Sequence, residues 1–76
     1  MLVKDIIINL NHNKIKLLGI NKECQLVSES KVMDDIECII YTNDRKIMLN
    51  TVSFITVSND IVYIYYEMEV NNNEAD

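Results

Sequence analysis

Residues 36–50, IECIIYTNDRKIMLN, decide how the chain is read. Two apolar runs flank Asn43-Asp44, and both residues tolerate the left-handed backbone of a tight turn, so the stretch predicts a β-hairpin. Its halves then set Ile36, Cys38 and Ile40 on one face with Ile47 and Leu49, and leave Lys46, Met48 and Asn50 on the other. Residues 52–67, VSFITVSNDIVYIYYE, read as a second hairpin turning at Ser58 to Asp60. Two consecutive hairpins make the second half a three- or four-stranded antiparallel meander.

Working outward, glycine occurs once, at Gly19, and proline never. Asparagine takes over as punctuation, at Asn11, Asn13, Asn21, Asn43, Asn59 and Asn71 to Asn73. The short β-branched runs between these positions predict strands at 3–10, 14–20, 23–28, 36–42, 45–50, 52–57 and 61–68. The expected fold class is all-β, a mainly antiparallel meander closed as a small barrel or a two-layer sandwich. The alternative is α+β with one short helix in the first half, for which KECQLVSESKVMDD at 22–35 is one candidate although its apolar spacing fits a helix poorly. At the N-terminus, Leu2, Val3, Ile6, Ile7 and Leu10 match a helical stripe, whereas Ile6, Ile8 and Leu10 match a strand. Three consecutive isoleucines favour the strand.

The 76 residues suffice for one domain, and 49% hydrophobic composition supplies a core. A chain of this size buries only roughly 60% of its unfolded surface, so its stability should be marginal unless something staples or pairs it. Residues 1–70 are expected to form one β-rich domain, and 71–76, which have nothing to bury, a disordered acidic tail. Through residue 59, the basic Lys4, Lys14, Lys16, Lys22, Lys31, Arg45 and Lys46 balance the acidic Asp5, Glu23, Glu29, Asp34, Asp35, Glu37 and Asp44. The net charge of -5 therefore resides in Asp60, Glu67, Glu69, Glu74 and Asp76. An acidic end repels phosphate and anionic lipid, so neither non-specific DNA binding nor membrane binding is expected. No run approaches the ~20 apolar residues that span a bilayer, no cleavable leader is legible, and a cytoplasmic location follows.

Chemistry-bearing patterns are sparse. Cys24 and Cys38 lack paired short spacings and stand far from the single histidine, His12, which excludes a structural zinc pattern and reads as two buried free thiols in a reducing compartment. His12 lies in a polar NHN turn, with nothing in the sequence to pair it with a nucleophile. Asp34, Asp35 and Glu37 lack the glycine-containing spacing of a calcium loop and read as a solvated acidic loop over 29–35. A single glycine cannot build a phosphate-cradling loop. No catalytic, cofactor-binding or metal-binding residue is assigned, no small-molecule substrate is expected, and the chain is read as non-enzymatic.

The remaining signal is in the last strand. From Ile61 to Tyr66 both faces are apolar. Val62, Ile64, Tyr66 and Met68 form a face free of charge and should point into the core. Ile61, Tyr63, Tyr65, Glu67 and Glu69 then form an outer, tyrosine-bearing face edged with carboxylates. Bare tyrosines on a sheet need a cover, either the N-terminal half folded over as a second layer, or a protein partner, or a second copy in a homodimer. The expected function is a small protein-interaction or regulatory module. Its narrower form is an acidic inhibitor of a nucleic-acid-handling enzyme, by analogy with small acidic phage and mobile-element proteins of similar size and charge. The alternatives are a nucleic-acid-binding small β-barrel and a structural homo-oligomer subunit.

Overall fold

The computed structural model of the chain describes residues 1–9 and 14–68. The elements in order are α1 (Val3–Asn9), β1 (Ile15–Ile20), β2 (Leu26–Glu29), α2 (Asp35–Asp44), β3 (Val52–Ser58) and β4 (Ile61–Glu67). The strands form one mixed sheet in the order β2-β1-β4-β3, in which the outer pairs are antiparallel and the central β1 and β4 run parallel. The architecture is therefore sheet-rich α+β, the class expected as the alternative, and the all-β expectation is corrected at both helices. The tail at 71–76 and His12 lie outside the described residues.

The expected strand at 3–10 is a helix because the i, i+3, i+4 spacing wins. Val3, Ile6 and Ile7 are buried together, while Ile8, which a strand would have placed beside Ile6, is exposed. The unsatisfied N–H groups of this first turn find partners across the chain. The Val3 N–H donates to the Asn50 carbonyl and the Lys4 N–H to that of Met48, both at 2.9 Å. Those carbonyls come from 45–50, which is therefore a capping loop and not the expected strand.

The first hairpin is the larger correction, for its leading half is α2. Asp34 is the N-cap: its carboxylate accepts from the Glu37 N–H at 2.7 Å, and the Glu37 carboxylate accepts from the Asp34 N–H at 3.1 Å. This reciprocal capping box, not a solvated loop, accounts for the acidic cluster. Lys31 adds an ion pair to Glu37 at 3.2 Å, and the Asp34 N–H and the Lys31 ammonium together hold the Glu37 carboxyl below its ordinary range. The helix ends at Arg45, whose guanidinium lies 4.5 Å over the Tyr41 ring. Lys46 follows with a positive φ of 58°, its N–H reaching the Asn43 carbonyl, while the Ile47 N–H reaches that of Thr42. This is a Schellman termination with a lysine where glycine is favoured. Helical geometry sends Cys38 and Thr42 inward and leaves Ile36 and Ile40, expected as core, 65% and 56% exposed. Ile47 is buried, and Leu49 is exposed, also contrary to expectation.

The strands at 14–20, 52–57 and 61–68 are found with only small shifts of boundary, whereas that at 23–28 contracts to β2, so the alternative helix over 22–35 is absent too. Asn59 and Asp60 both have positive φ, 53° and 65°, as a two-residue type I′ turn requires. One apolar cluster joins Val3, Ile6 and Ile7 of α1 and Cys38 of α2 to Ile15, Leu17, Val62, Ile64 and Tyr66, with Met33 and Ile47. Both helices thus lie on the same face of the sheet. Within the cluster Cys38 is fully buried, and burial pushes its thiol up to about 11, whereas Cys24 is exposed, contrary to expectation.

Two measurements follow. Asp34→Ala should lower stability by about 1 kcal/mol, and Lys46→Gly should raise it by about 1 kcal/mol through relief of the left-handed lysine, both read by urea unfolding. An unchanged midpoint in either variant contradicts the corresponding cap. The second concerns alkali. Cys38 keeps its proton in the native state up to about 11, whereas the unfolded thiol ionises near the ordinary 9.0. Its contribution is complete below pH 9 and is lost as pH rises toward 11, by about 2 kcal/mol, and Tyr66, whose phenol burial also pushes up, adds loss of the same sign. Cys38→Ala should flatten the stability profile between pH 9 and 11.

Candidate interaction face

The face opposite the helices is built by strand register. Ser58 pairs with Ile61, Thr56 with Tyr63 and Phe54 with Tyr65, while across β4 Tyr63 stands beside Lys16, Tyr65 beside Leu18 and Glu67 beside Ile20. On β2, Glu29 opposes Leu18 and Leu26 opposes Ile20, the pairing stepping over Val27 at a register shift beside Gly19. Because side chains alternate along a strand, all of these share the face away from Ile15, Leu17, Val62 and Ile64.

The central row runs Glu29, Leu18, Tyr65, Phe54. The Phe54 and Tyr65 rings stack with centroids 4.2 Å apart and planes within 15°. Tyr63 and Tyr65 are half-buried, and Phe54 is 48% exposed. Leu18 and Ile20 are buried without belonging to the helix-side cluster, since β1 is flanked on both sides and its neighbours' side chains screen it. All the buried apolar residues of α1 and α2 lie in that other cluster, so among the described residues no second layer covers this face. The expectation that the N-terminal half might fold over the tyrosines is therefore corrected: α1 packs behind Val62, Ile64 and Tyr66.

Charge lies at the margins. Lys16 forms an ion pair with Glu29, diagonal to it across the β1–β2 ladder, and this bond to Glu29 holds the lysine's pKa above its ordinary value. Glu67 is exposed at one end of the face, and Asp60 is exposed at the hairpin tip. Among the described residues no three His, Cys, Asp or Glu side chains converge as a metal site would need, and no helix is long and apolar enough to cross a membrane.

Of the residues the sequence singled out, Ile61, Tyr63, Tyr65 and Glu67 do share this face, and Glu69 lies outside the described residues. Phe54, Leu18, Ile20 and Lys16 join them on this face without having been assigned to it from the sequence. Phe54 was legible, since a two-residue turn at Asn59-Asp60 forces Phe54 opposite Tyr65. The β1 residues had no such signal, because a parallel pairing between distant segments leaves no local mark.

A double-mutant cycle tests the aromatic stack. Phe54→Ala and Tyr65→Ala, singly and together, should show a coupling of about 0.5–1.5 kcal/mol in urea unfolding. Strictly additive losses would mean that the rings merely lie near each other.

Comparison of the chain with protein-family models, with curated proteins and with solved structures finds no match, so the functional reading rests on the geometry of this face.

Proposed function

We propose that the chain is a non-enzymatic protein-interaction module that docks on a partner through the open sheet face. The observation that carries this reading is the one-sided packing: the aromatic pair Phe54 and Tyr65, with Tyr63 beside it, remains partly exposed, whereas both helices pack on the opposite face of the sheet. Tyrosine and phenylalanine bring large contact area with little rotamer entropy to lose, and the tyrosine hydroxyls supply hydrogen bonds once water is excluded. Glu67 and Asp60 at the margins favour a partner whose apolar centre is rimmed by basic side chains.

The net charge of -5 supports the narrower form, an acidic inhibitor that occupies the phosphate-binding groove of a nucleic-acid-handling enzyme. Direct binding of nucleic acid by this face has less support. Base-stacking platforms combine aromatics with free cations, and the lysine in this array, Lys16, is already paired with Glu29.

The test compares the wild-type chain with Tyr63→Ser/Tyr65→Ser. Both side chains lie on the open face, outside the helix-side core, so the variant should still melt cooperatively. Immobilised wild type should retain from lysate a protein that the variant does not, and retention should weaken as salt rises because the rim is charged. Identical retention by a folded variant refutes the docking role of the face. Micromolar gel-shift binding to random duplex DNA at physiological salt would move the nucleic-acid reading ahead of it.

A further inference from the structure

We propose that two copies of this chain join edge to edge through β3, antiparallel about a twofold axis at Thr56, extending the four-stranded sheet to a continuous eight-stranded one. The inference concerns the rim of the sheet and is independent of the docking reading, which concerns its face.

The sheet has two edges, and they are built differently. At β2 the strand is only 4 residues long, a register shift interrupts it, and Glu29 lies on it in its ion pair with Lys16. Such features blunt an edge against pairing. At β3 the strand is 7 residues long, its own register shift is confined to the Val52 end so that Phe54 to Ser58 run in regular register, and from Thr51 to Asn59 there is no ionisable side chain and no proline. Among the described residues, the chain's own N-terminus occupies only its first end, where Leu2 bridges to Thr51 and the Val52 N–H donates to the Met1 carbonyl at 2.8 Å.

Beyond Val52 the backbone geometry is set by the turn. A two-residue hairpin makes Ser58 and Ile61 the pair that exchanges both hydrogen bonds, and alternation then turns Thr56 and Phe54 inward to Tyr63 and Tyr65. Ile55 and Val57 consequently direct their N–H and C=O groups away from β4, toward the open side. Their side chains project on the helix-bearing face, on the outer strand where the helices no longer cover the sheet, and are 42% and 63% exposed. Among the described residues, both a polar ladder and an apolar ledge are therefore left unpaired by the same two residues.

What identifies the occupant as a second copy is self-complementarity. With the axis at Thr56, Ile55 of each copy stands opposite Val57 of the other, the two pairs exchange every one of the outward backbone bonds, and Phe54 stands opposite Ser58 on the other face. The apolar ledges meet side by side. In a chain of net charge -5, most surfaces of two copies repel, and this uncharged strand is where they can approach without setting like charges opposite. A basic partner would find no countercharge there.

The experiment is sedimentation equilibrium over a concentration series of the full chain, together with amide hydrogen exchange. The wild type should pass from 8.9 kDa to twice that mass as concentration rises, and the Ile55 and Val57 amides should become protected in step. Val57→Lys places a charge at a position already exposed in the monomer, and should weaken self-association by more than about tenfold while the chain stays folded. Val27→Lys on the opposite edge and Tyr63→Ser/Tyr65→Ser on the face should leave the mass unchanged. A wild type that is monomeric throughout overturns the proposal, as does a dimer that survives in folded Val57→Lys or leaves the Ile55 and Val57 amides unprotected. Should the lysine variant fail to fold, the exchange of those two amides in the wild type still decides. Because the face variant keeps its mass while losing its partner, failure of dimerisation and failure of docking give different results.

Discussion

The parallel pairing of β1 with β4, from Ile15 opposite Val62 to Ile20 opposite Glu67, is the interaction on which the remaining packing depends. Each is one strand of a separate antiparallel hairpin, and a lone two-stranded hairpin is at best marginal in water. Joined at their inner strands, the hairpins present Ile15 and Leu17 beside Val62, Ile64 and Tyr66 as a continuous apolar floor, on which both helices settle. Gly19 belongs to this junction. A Cβ there would meet the Met68 sulfur at 2.6 Å and the Tyr66 ring at 3.0 Å, so the missing side chain leaves room for both to lie across β1.

Polar groups are satisfied by the same long-range arrangement. The Ser30 hydroxyl, buried at the end of β2, accepts the Leu17 N–H at 2.9 Å and donates to the Lys31 carbonyl. Thr42 is buried within α2 and returns its hydroxyl to the Cys38 and Ile39 carbonyls. Carbonyls of the 45–50 loop receive the first N–H groups of α1, so the segment that ends one helix begins the support of the other. Among the described residues no buried side-chain nitrogen or oxygen lacks a partner.

One-sided packing is the feature on which the proposed docking rests. Two short helices cover only the central part of one face, so the opposite face and the β3 rim keep apolar surface in solvent. A protein with so small a core gains much from a second surface, because each additional apolar contact offsets chain entropy that its own core offsets only narrowly. The aromatic array and the uncharged edge are contiguous at Phe54, which stacks on Tyr65 and lies on the edge strand.

By itself the sequence determined what is local. The β3–β4 hairpin, its Asn59-Asp60 turn and the inward set Val62, Ile64 and Tyr66 follow from a two-residue turn and an alternation that neighbours in the chain enforce. The start of α2 is equally local, written in Asp34 and Glu37 three residues apart ahead of an apolar run, although an acidic loop before a β-branched run carries the same letters. Tertiary structure alone decided between the strand and helix patterns that coexist in Ile6, Ile7 and Ile8, because burial against β1 and β4 selects the stripe of Val3, Ile6 and Ile7. It alone also placed Leu18 and Ile20 beside the tyrosines and left that face open. A parallel pairing has no connecting turn to announce it, and its register is set only when side chains from distant segments pack into one core.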